Sequence, residues 1–184
     1  YAPDYSTATG FYWSQATGLR TICPIGNITE SPILINDSGV VGGVDANGHV
    51  FRWALAGGPG SLVDLGETGA GGTYVSGINA RGDIVGNSGR GSPGYAKSFV
   101  AFASANTLTL LSSPGSRNPP PIAEIHLGEV NIQINAINDS GVVVGTYWDF
   151  GYLYAGPDFS NIRVHNSHAF KWTSAGGFTD LGNF

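Results

Sequence analysis

The sequence predicts an all-β fold in which short antiparallel sheets repeat along the chain, in the manner of a β-propeller. Three observations predict it: a motif recurs at intervals of roughly 40 residues, apolar and polar residues alternate within the motif, and no helical period is sustained. Glycine occupies 29 of the 184 positions, and Gly, Pro, Asn or Ser interrupts nearly every longer stretch. We therefore expect one domain, residues 1–184, that is almost free of helix.

The first element of the repeat combines a tight turn with a short strand. It begins with Ile-Asn, has Gly three positions after the Asn, and has a second Gly four positions later. Asn and Asp side chains bond to nearby backbone in turns, and Gly accepts positive φ, so this element predicts a reversal between two strands. The three copies are Ile35–Gly43, Ile78–Gly86 and Ile137–Gly145.

The second element is a strand with period-two alternation. In Phe51-Arg52-Trp53 an aromatic residue, a cation and a second aromatic residue follow one another, so a strand places both rings on one face and the charge on the other. The copies are His49–Trp53, Lys97–Ala101, His168–Trp172 and an isolated early copy, Phe11–Trp13.

A third, closing strand follows each second element. Its copies are Val63–Gly66, Thr109–Ser112 and Thr179–Gly182, with Arg20–Cys23 in the matching early place. The chain therefore contains three full units, 33–66, 75–112 and 132–182, one half unit, 8–23, and a stiff Pro-rich connector, 114–121. Because one unit cannot bury its own aromatic face, neighbouring units are expected to cover it.

These elements together resemble the HAF family of extracellular repeats, named for its His-Ala-Phe step. Residues 132–182 fit the pattern best, with His168-Ala169-Phe170 and the closing Gly176–Gly182. The other units depart from it, because His49-Val50-Phe51 and Lys97-Ser98-Phe99 replace the step. The resemblance implies a secreted or surface-exposed bacterial or archaeal protein with a propeller-like β fold, and it brings no catalytic residues.

Composition excludes several functions. The net charge of −5 and the 11% share of charged residues provide no basic patch for nucleic acid or anionic lipid. No apolar run approaches the roughly 18 residues of a membrane-spanning helix, so no membrane insertion is expected. The single Cys23 makes no internal disulfide and does not identify a redox compartment.

No residue set in the sequence is a convincing catalytic or metal site. His165 and His168 could be drawn with Asp149 or Asp158 as a metal site, but His168 occupies the repeat's own histidine position, which favours a hydrogen bond at a strand edge. The equivalent carboxylates, Asp64 and Asp180, are expected in turns. Asp45–Gly48 lacks the later ligands of a calcium loop and is better explained as a hairpin turn. We expect no catalytic residue, metal or cofactor, and no enzyme.

Aromatic residues are dense in the insertion 146–164, which is expected to be a loop. A sugar-stacking platform, a subunit contact and a lid that seals the unit's own core all fit such a loop. The residues concerned are Tyr147, Trp148, Phe150, Tyr152 and Tyr154. Separately, Asn27, Asn36 and Asn138 fit the N-glycosylation pattern, which matters only where the source has that machinery.

The half unit favours a structural function. Either the chain was cut from a longer array, or the half unit pairs with a neighbouring molecule. If that pairing repeats head to tail, the molecules form a filament. We therefore expect a non-catalytic extracellular or cell-surface scaffold or fibre subunit that self-associates. A glycan-binding module using the aromatic loop is the alternative, and an enzyme acting on polysaccharide ranks third.

Overall fold

The computed structural model describes residues 10–22, 33–55, 61–89, 97–111, 126–127, 131–155 and 160–183. These residues form antiparallel β-structure throughout and contain no helix, which confirms the predicted all-β class of repeated sheets. No helical segment among them is therefore able to cross a bilayer. The connector 114–121 lies outside the described residues.

Fifteen strands in the described part of the chain form four sheets. The half sheet contains β1 (Gly10–Ser14) and β2 (Gly18–Ile22). Sheet 1 contains β3 (Leu34–Ile35), β4 (Val40–Val44), β5 (Val50–Ala54) and β6 (Ser61–Gly66). Sheet 2 contains β7 (Tyr74–Ile78), β8 (Ile84–Ser88), β9 (Lys97–Ala101) and β10 (Thr109–Leu111). Sheet 3 contains β11 (His126–Leu127), β12 (Asn131–Ile137), β13 (Val143–Ala155), β14 (Ser160–Thr173) and β15 (Gly177–Asn183).

Neighbours in sequence are neighbours in each sheet, except that β11 and β12 both pair with the same side of β13. Among the described residues the four sheets do not close into a barrel or a complete propeller.

The Ile-Asn element is the predicted turn. In each copy the Asn Oδ1 accepts the backbone N–H groups two and four residues later; for Asn36 these are Ser38 at 3.1 Å and Val40 at 2.9 Å. The first Gly of each copy has positive φ, 77° at Gly39, 85° at Gly82 and 79° at Gly141. That conformation favours glycine, which explains its recurrence.

The same asparagines also join one sheet to the next. Asn36 Nδ2 donates to the carbonyl of Asn79 at 2.8 Å, and Asn79 Nδ2 donates to the carbonyl of Asn138 at 3.0 Å. Asn79 is buried and also donates to Asp83 Oδ2 at 2.8 Å. The turn residues of the first two full units, Asn36 and Asn79, are thus bridges to the following unit.

The second Gly of the motif makes room for the repeated phenylalanine. Gly43, Gly86 and Gly145 pair directly across the sheet with Phe51, Phe99 and Phe170. A Cβ at Gly86 would overlap the Tyr74 carbonyl and lie 2.5 Å from the Phe99 ring. The Phe ring therefore lies over a backbone that has no side chain.

The hydrophobic core is divided into three clusters, each between two successive sheets. One joins Ile22 of the half sheet to Val41, Phe51 and Trp53 of sheet 1. The second joins sheets 1 and 2, and the third joins sheets 2 and 3. The prediction that neighbouring units cover each other's aromatic faces is confirmed.

Arg52 lies on the strand face opposite Phe51 and Trp53, as the alternation predicts, but it is buried against sheet 2. Its Nε donates to the Gly82 carbonyl at 3.1 Å, and its Nη atoms donate to the carbonyls of Phe102 at 2.8 Å and Ala103 at 3.2 Å. Burial lowers the pKa of Arg52, while Asp83 opposes that shift. Arg52 is a second polar link between these units.

Asn36 and Asn138 allow the inter-sheet bond to be measured, because each begins the same sequence, Asn-Asp-Ser-Gly-Val-Val. Both asparagines make the turn bonds, but only Asn36 bonds to a following sheet within the described residues. We expect Asn36→Ala to lower the free energy of unfolding by about 1–2 kcal/mol more than Asn138→Ala does, measured by urea denaturation. Equal losses would contradict a stabilising bridge.

Gly86 tests the packing role of the second motif glycine. We expect Gly86→Ala to lower the free energy of unfolding by about 3 kcal/mol or more, because the added methyl group has no space. Gly71→Ala is the control, since a Cβ added at Gly71 would have no atom within 4 Å and its φ is not in the left-handed region. A loss of similar size in both variants would show that steric overlap is not the cause.

Candidate interaction surfaces

The half sheet presents an apolar surface that no described residue covers. Phe11 and Trp13 are 68% and 64% exposed, although they occupy the same repeat positions as Phe51 and Trp53, of which Phe51 is only 1% exposed. Leu19 pairs across the sheet with Trp13 and is exposed as well. We call Phe11, Trp13 and Leu19 the front face.

Sheet 3 presents the opposite end of the stack. Leu181 is 53% exposed, whereas Leu65, at the same repeat position in sheet 1, is 2% exposed under sheet 2. Val144 is 41% exposed, and its counterpart Val85 is fully buried under sheet 3. Lys171 stands exposed at the position of Arg52. We call Val144, Lys171 and Leu181 the back face.

The half sheet also has an open backbone edge among the described residues. In sheet 1 the counterpart of β1 is β5, which pairs with β4 on one side and β6 on the other. Strand β1 pairs only with β2 in the described part of the chain. Its second edge offers N–H and C=O groups to another strand.

The aromatic insertion is not a loop, which corrects the expectation from sequence. Residues 146–155 continue β13 and pair in unbroken register with β14, from Thr146 opposite Ala169 to Ala155 opposite Ser160. The insertion therefore extends the β13–β14 hairpin. Strands β13 and β14 have 13 and 14 residues, against five in β4, β5, β8 and β9.

The structure separates the aromatic residues that the sequence groups together. Tyr147 is buried, its ring stacks on His168 with centroids 4.8 Å apart, and its hydroxyl bonds to Asp180. Trp148 is half-buried at the base of the long hairpin. The backbones of Phe150, Tyr152 and Tyr154 lie in β13, while their side chains are outside the described part. Tyr147 is thus a packing residue, whose ring is not free to stack on a ligand.

The candidate glycosylation residues differ in their surroundings. Asn36 Nδ2, the atom that would carry the sugar, donates to two backbone carbonyls of sheet 2. Asn138 is exposed, and its Nδ2 has no partner among the described residues. Asn27 lies outside the described residues. Attachment at Asn36 therefore requires that the bridge to sheet 2 be broken.

Two histidine–aspartate pairs recur at equivalent positions. His49 Nδ1 lies 2.9 Å from Asp64 Oδ2, and His168 Nδ1 lies 3.3 Å from Asp180 Oδ1. Each aspartate also accepts a backbone N–H, from Gly66 or Gly182, at 2.8 Å. The expected hydrogen bond of His168 is confirmed, but the expectation that both aspartates lie in turns is wrong: Asp64 lies in β6 and Asp180 in β15, each beside a register irregularity of its sheet. Sequence analysis did not connect the histidines with the aspartates. The pairs connect the start of β5 with β6 and β14 with β15.

The other acidic motif is also structural. Asp45 Oδ1 accepts the backbone N–H groups of Asn47 and His49, at 2.9 and 2.8 Å, which closes the β4–β5 hairpin. This confirms the predicted hairpin turn. Among the residues that the structure describes, no three His, Cys, Asp or Glu side chains converge as a metal site; the side chains of His165 and Asp149, and all of Asp158, lie outside that part.

The His49–Asp64 pair predicts a pH-dependent contribution to stability. The hydrogen bond to Asp64 raises the pKa of His49 above 6.5. The Gly66 N–H and then His49 lower the pKa of Asp64 below 3.8. The charged pair therefore contributes its full stabilisation between pH 3.8 and pH 6.5, the ordinary pKa values of the two groups. Its contribution is lost as pH rises through the raised pKa of His49, or falls through the lowered pKa of Asp64.

We expect His49→Gln to lower Tm by about 1 °C near pH 5.5 and by less at pH 8.5, since both side chains are partly exposed to water. Thermal unfolding followed by circular dichroism at both pH values measures this. Asp64→Asn should also lower Tm more at pH 5.5 than at pH 8.5. The double variant should have a Tm only a little below that of either single variant, because both substitutions remove the same interaction. A loss independent of pH would exclude the ionic contribution.

The comparisons with known proteins leave the geometry as the main guide to function. No protein-family model, no curated protein and no solved structure matches this chain. The resemblance to the HAF repeats stays a prediction from sequence.

Proposed function

We propose that this chain is a non-catalytic structural subunit, extracellular or on the cell surface, that associates end to end with further copies of itself. The observation that carries the proposal is the pair of uncovered faces at the two ends of the stack. At these two ends the repeat has no neighbouring unit among the described residues, and the apolar side chains that such a unit would cover are exposed: Phe11, Trp13, Leu181 and Val144.

The two faces are complementary because they correspond to the two sides of each interface between neighbouring units within the chain. In each inner interface, the Phe and Trp positions of one unit pack against the Val and Leu positions of the preceding unit. The front face supplies the first set and the back face supplies the second. We expect the back face of one copy to pack against the front face of the next copy, as Leu65 packs against Phe99 within the chain.

The proposed joint has a polar contact as well. Arg52 bonds to the carbonyls of Phe102 and Ala103, which follow β9. At the joint, Lys171 occupies the Arg52 position, and Ser14 and Gln15 occupy the positions of Phe102 and Ala103. We expect the Lys171 ammonium to donate to the carbonyls of Ser14 and Gln15 in the next copy.

The size of the joint favours assembly that depends on concentration. Burying a large apolar side chain contributes roughly 1.5–3 kcal/mol, and five such residues together are of the same order as the cost of association. Because front and back faces differ, the contact is head to tail and generates an open filament unless its rotation closes a ring. The open edge of β1 adds a site for strand pairing along the same joint.

A glycan-binding function is the second candidate, favoured by the length of the β13–β14 hairpin. This hairpin extends well beyond the strands of the other units and carries Trp148, Phe150, Tyr152 and Tyr154 along one strand. Aromatic rings stack on sugars. A change in Trp148 fluorescence on adding sugars would support this candidate over a purely structural one.

Separate variants of each face test the joint. We expect the wild-type chain to grow in mass with concentration in light scattering and to form filaments in negative-stain micrographs. Phe11→Ser with Trp13→Ser removes the front face, and Leu181→Ser with Val144→Ser removes the back face. Each double variant alone should stay monomeric.

Mixing provides the sharper outcome. A front-face variant retains an intact back face, so a 1:1 mixture with the back-face variant should form dimers that do not extend. Leu110→Ser, an exposed leucine on neither face, is the control and should assemble like the wild type. Monomeric wild-type protein at high concentration, or filaments from either double variant, would contradict the proposal.

A further inference from the structure

A cleft of about 500 Å³ opens between sheets 2 and 3. Arg81, Asp83 and the loop after β9 line one side, and Gly141 with the loop after β14 lines the other. This volume is in the range of binding sites for small molecules. No residue of the front face or the back face lines this cleft, and neither does Trp148.

The corresponding place between sheets 1 and 2 is filled. There Arg52 extends from β5 and bonds to the carbonyls of Gly82, Phe102 and Ala103. The equivalents of these three residues in sheet 3 are Gly141, Thr173 and Ser174, all of which line the cleft. The equivalent of Arg52 is Val100, which is buried in the core. The cleft exists because Val100 is too short to occupy it.

A guanidinium group is held at the edge of this cleft. Arg81 Nε and Nη2 donate to Asp83 Oδ2 at 3.1 and 2.7 Å. The guanidinium also lies close to the Gly141 backbone, since a Cβ added to Gly141 would be only 2.6 Å from Nη2. The Arg81 side chain is half-exposed. Its Nη1 has no partner among the described residues, so one side of the guanidinium is oriented and open to a ligand.

Asp83 is buried, and both of its carboxylate oxygens are already hydrogen-bonded within the protein. Its Oδ1 accepts the N–H of Ala103 at 2.8 Å, and its Oδ2 accepts both Asn79 and Arg81. Burial opposes ionisation, but these hydrogen bonds outweigh it and lower the pKa of Asp83. Asp83 therefore orients Arg81 and balances its charge, so the polar side-chain groups left for a ligand are Arg81 Nη1 and the hydroxyl groups of the lining.

Hydroxyl groups complete the lining. They belong to Ser104, Ser140, Thr173 and Ser174. Thr173 Oγ1 accepts the N–H of Gly176 at 2.9 Å, which leaves its proton free to donate. A ligand that matches this arrangement has a carboxylate for the guanidinium and several hydroxyl groups for the serines and threonine.

We propose that this cleft binds an acidic saccharide, with the carboxylate of a uronic acid residue on Arg81 and the ring hydroxyls on the Ser and Thr side chains. Such binding goes beyond end-to-end assembly and does not depend on it. An acidic sugar is favoured over an acidic peptide because four hydroxyl-bearing residues surround the single guanidinium.

Trigalacturonic acid is a suitable probe, titrated into the ¹⁵N-labelled chain carrying Phe11→Ser and Trp13→Ser, which keeps the cleft and is expected to stay monomeric, and followed by NMR. We expect shifts concentrated on the amides of Ala103, Gly141 and Ser174, and weakening as salt is added. Arg81→Gln should weaken binding at least tenfold. Arg20→Gln, an exposed arginine on β2, is the matched control and should bind like the wild type.

A second variant covers the case in which Arg81→Gln disturbs the buried Asp83. Ser174 is exposed in the loop, so Ser174→Trp should leave the fold unchanged and occlude the cleft. Loss of binding in this variant supports the proposal. Absence of shifts at tens of millimolar probe, shifts centred on Trp148, or unchanged binding by Ser174→Trp would overturn it. None of these outcomes bears on the light-scattering test of assembly.

Discussion

The bridge from each Ile-Asn turn to the following turn is the interaction on which this architecture depends. One amide side chain closes its own turn through Oδ1 and holds the next sheet through Nδ2. Local geometry and stacking geometry are therefore fixed by the same residue. With Asn79 buried between its neighbours, any shift of one sheet along another would leave polar groups unsatisfied in the interior. The apolar clusters supply most of the burial, and the amides determine the register in which they meet.

Much of this fold could be predicted from the sequence, because its signals are local. The turn at Asn36, the alternation of Phe51 and Trp53, and the hairpin at Asp45 each depend on residues only a few positions apart. The recurrence of the motif then indicated that neighbouring units share their cores. These levels agree with one another, as expected for a chain that specifies one structure.

The rest depends on contacts between distant residues, which no local pattern shows. Nothing around Arg52 in sequence indicates that Phe102 and Ala103 accept its hydrogen bonds. The long hairpin was expected to be a loop, because residues 146–164 have no counterpart in the other units and were interpreted as an insertion. The cleft beside Arg81 was missed entirely, since it arises from the absence of a long side chain at Val100. Comparing equivalent positions across the repeats could have indicated it.

The division of the core between successive sheets also affects how such a chain can change in length. Each added unit contributes one more buried interface, while the number of uncovered end faces remains two. Duplication of a unit within the gene therefore increases the buried apolar area without increasing the area of the two end faces, which become a smaller fraction of the surface of a longer protein. The length of the stack can therefore change while the two end faces stay the same.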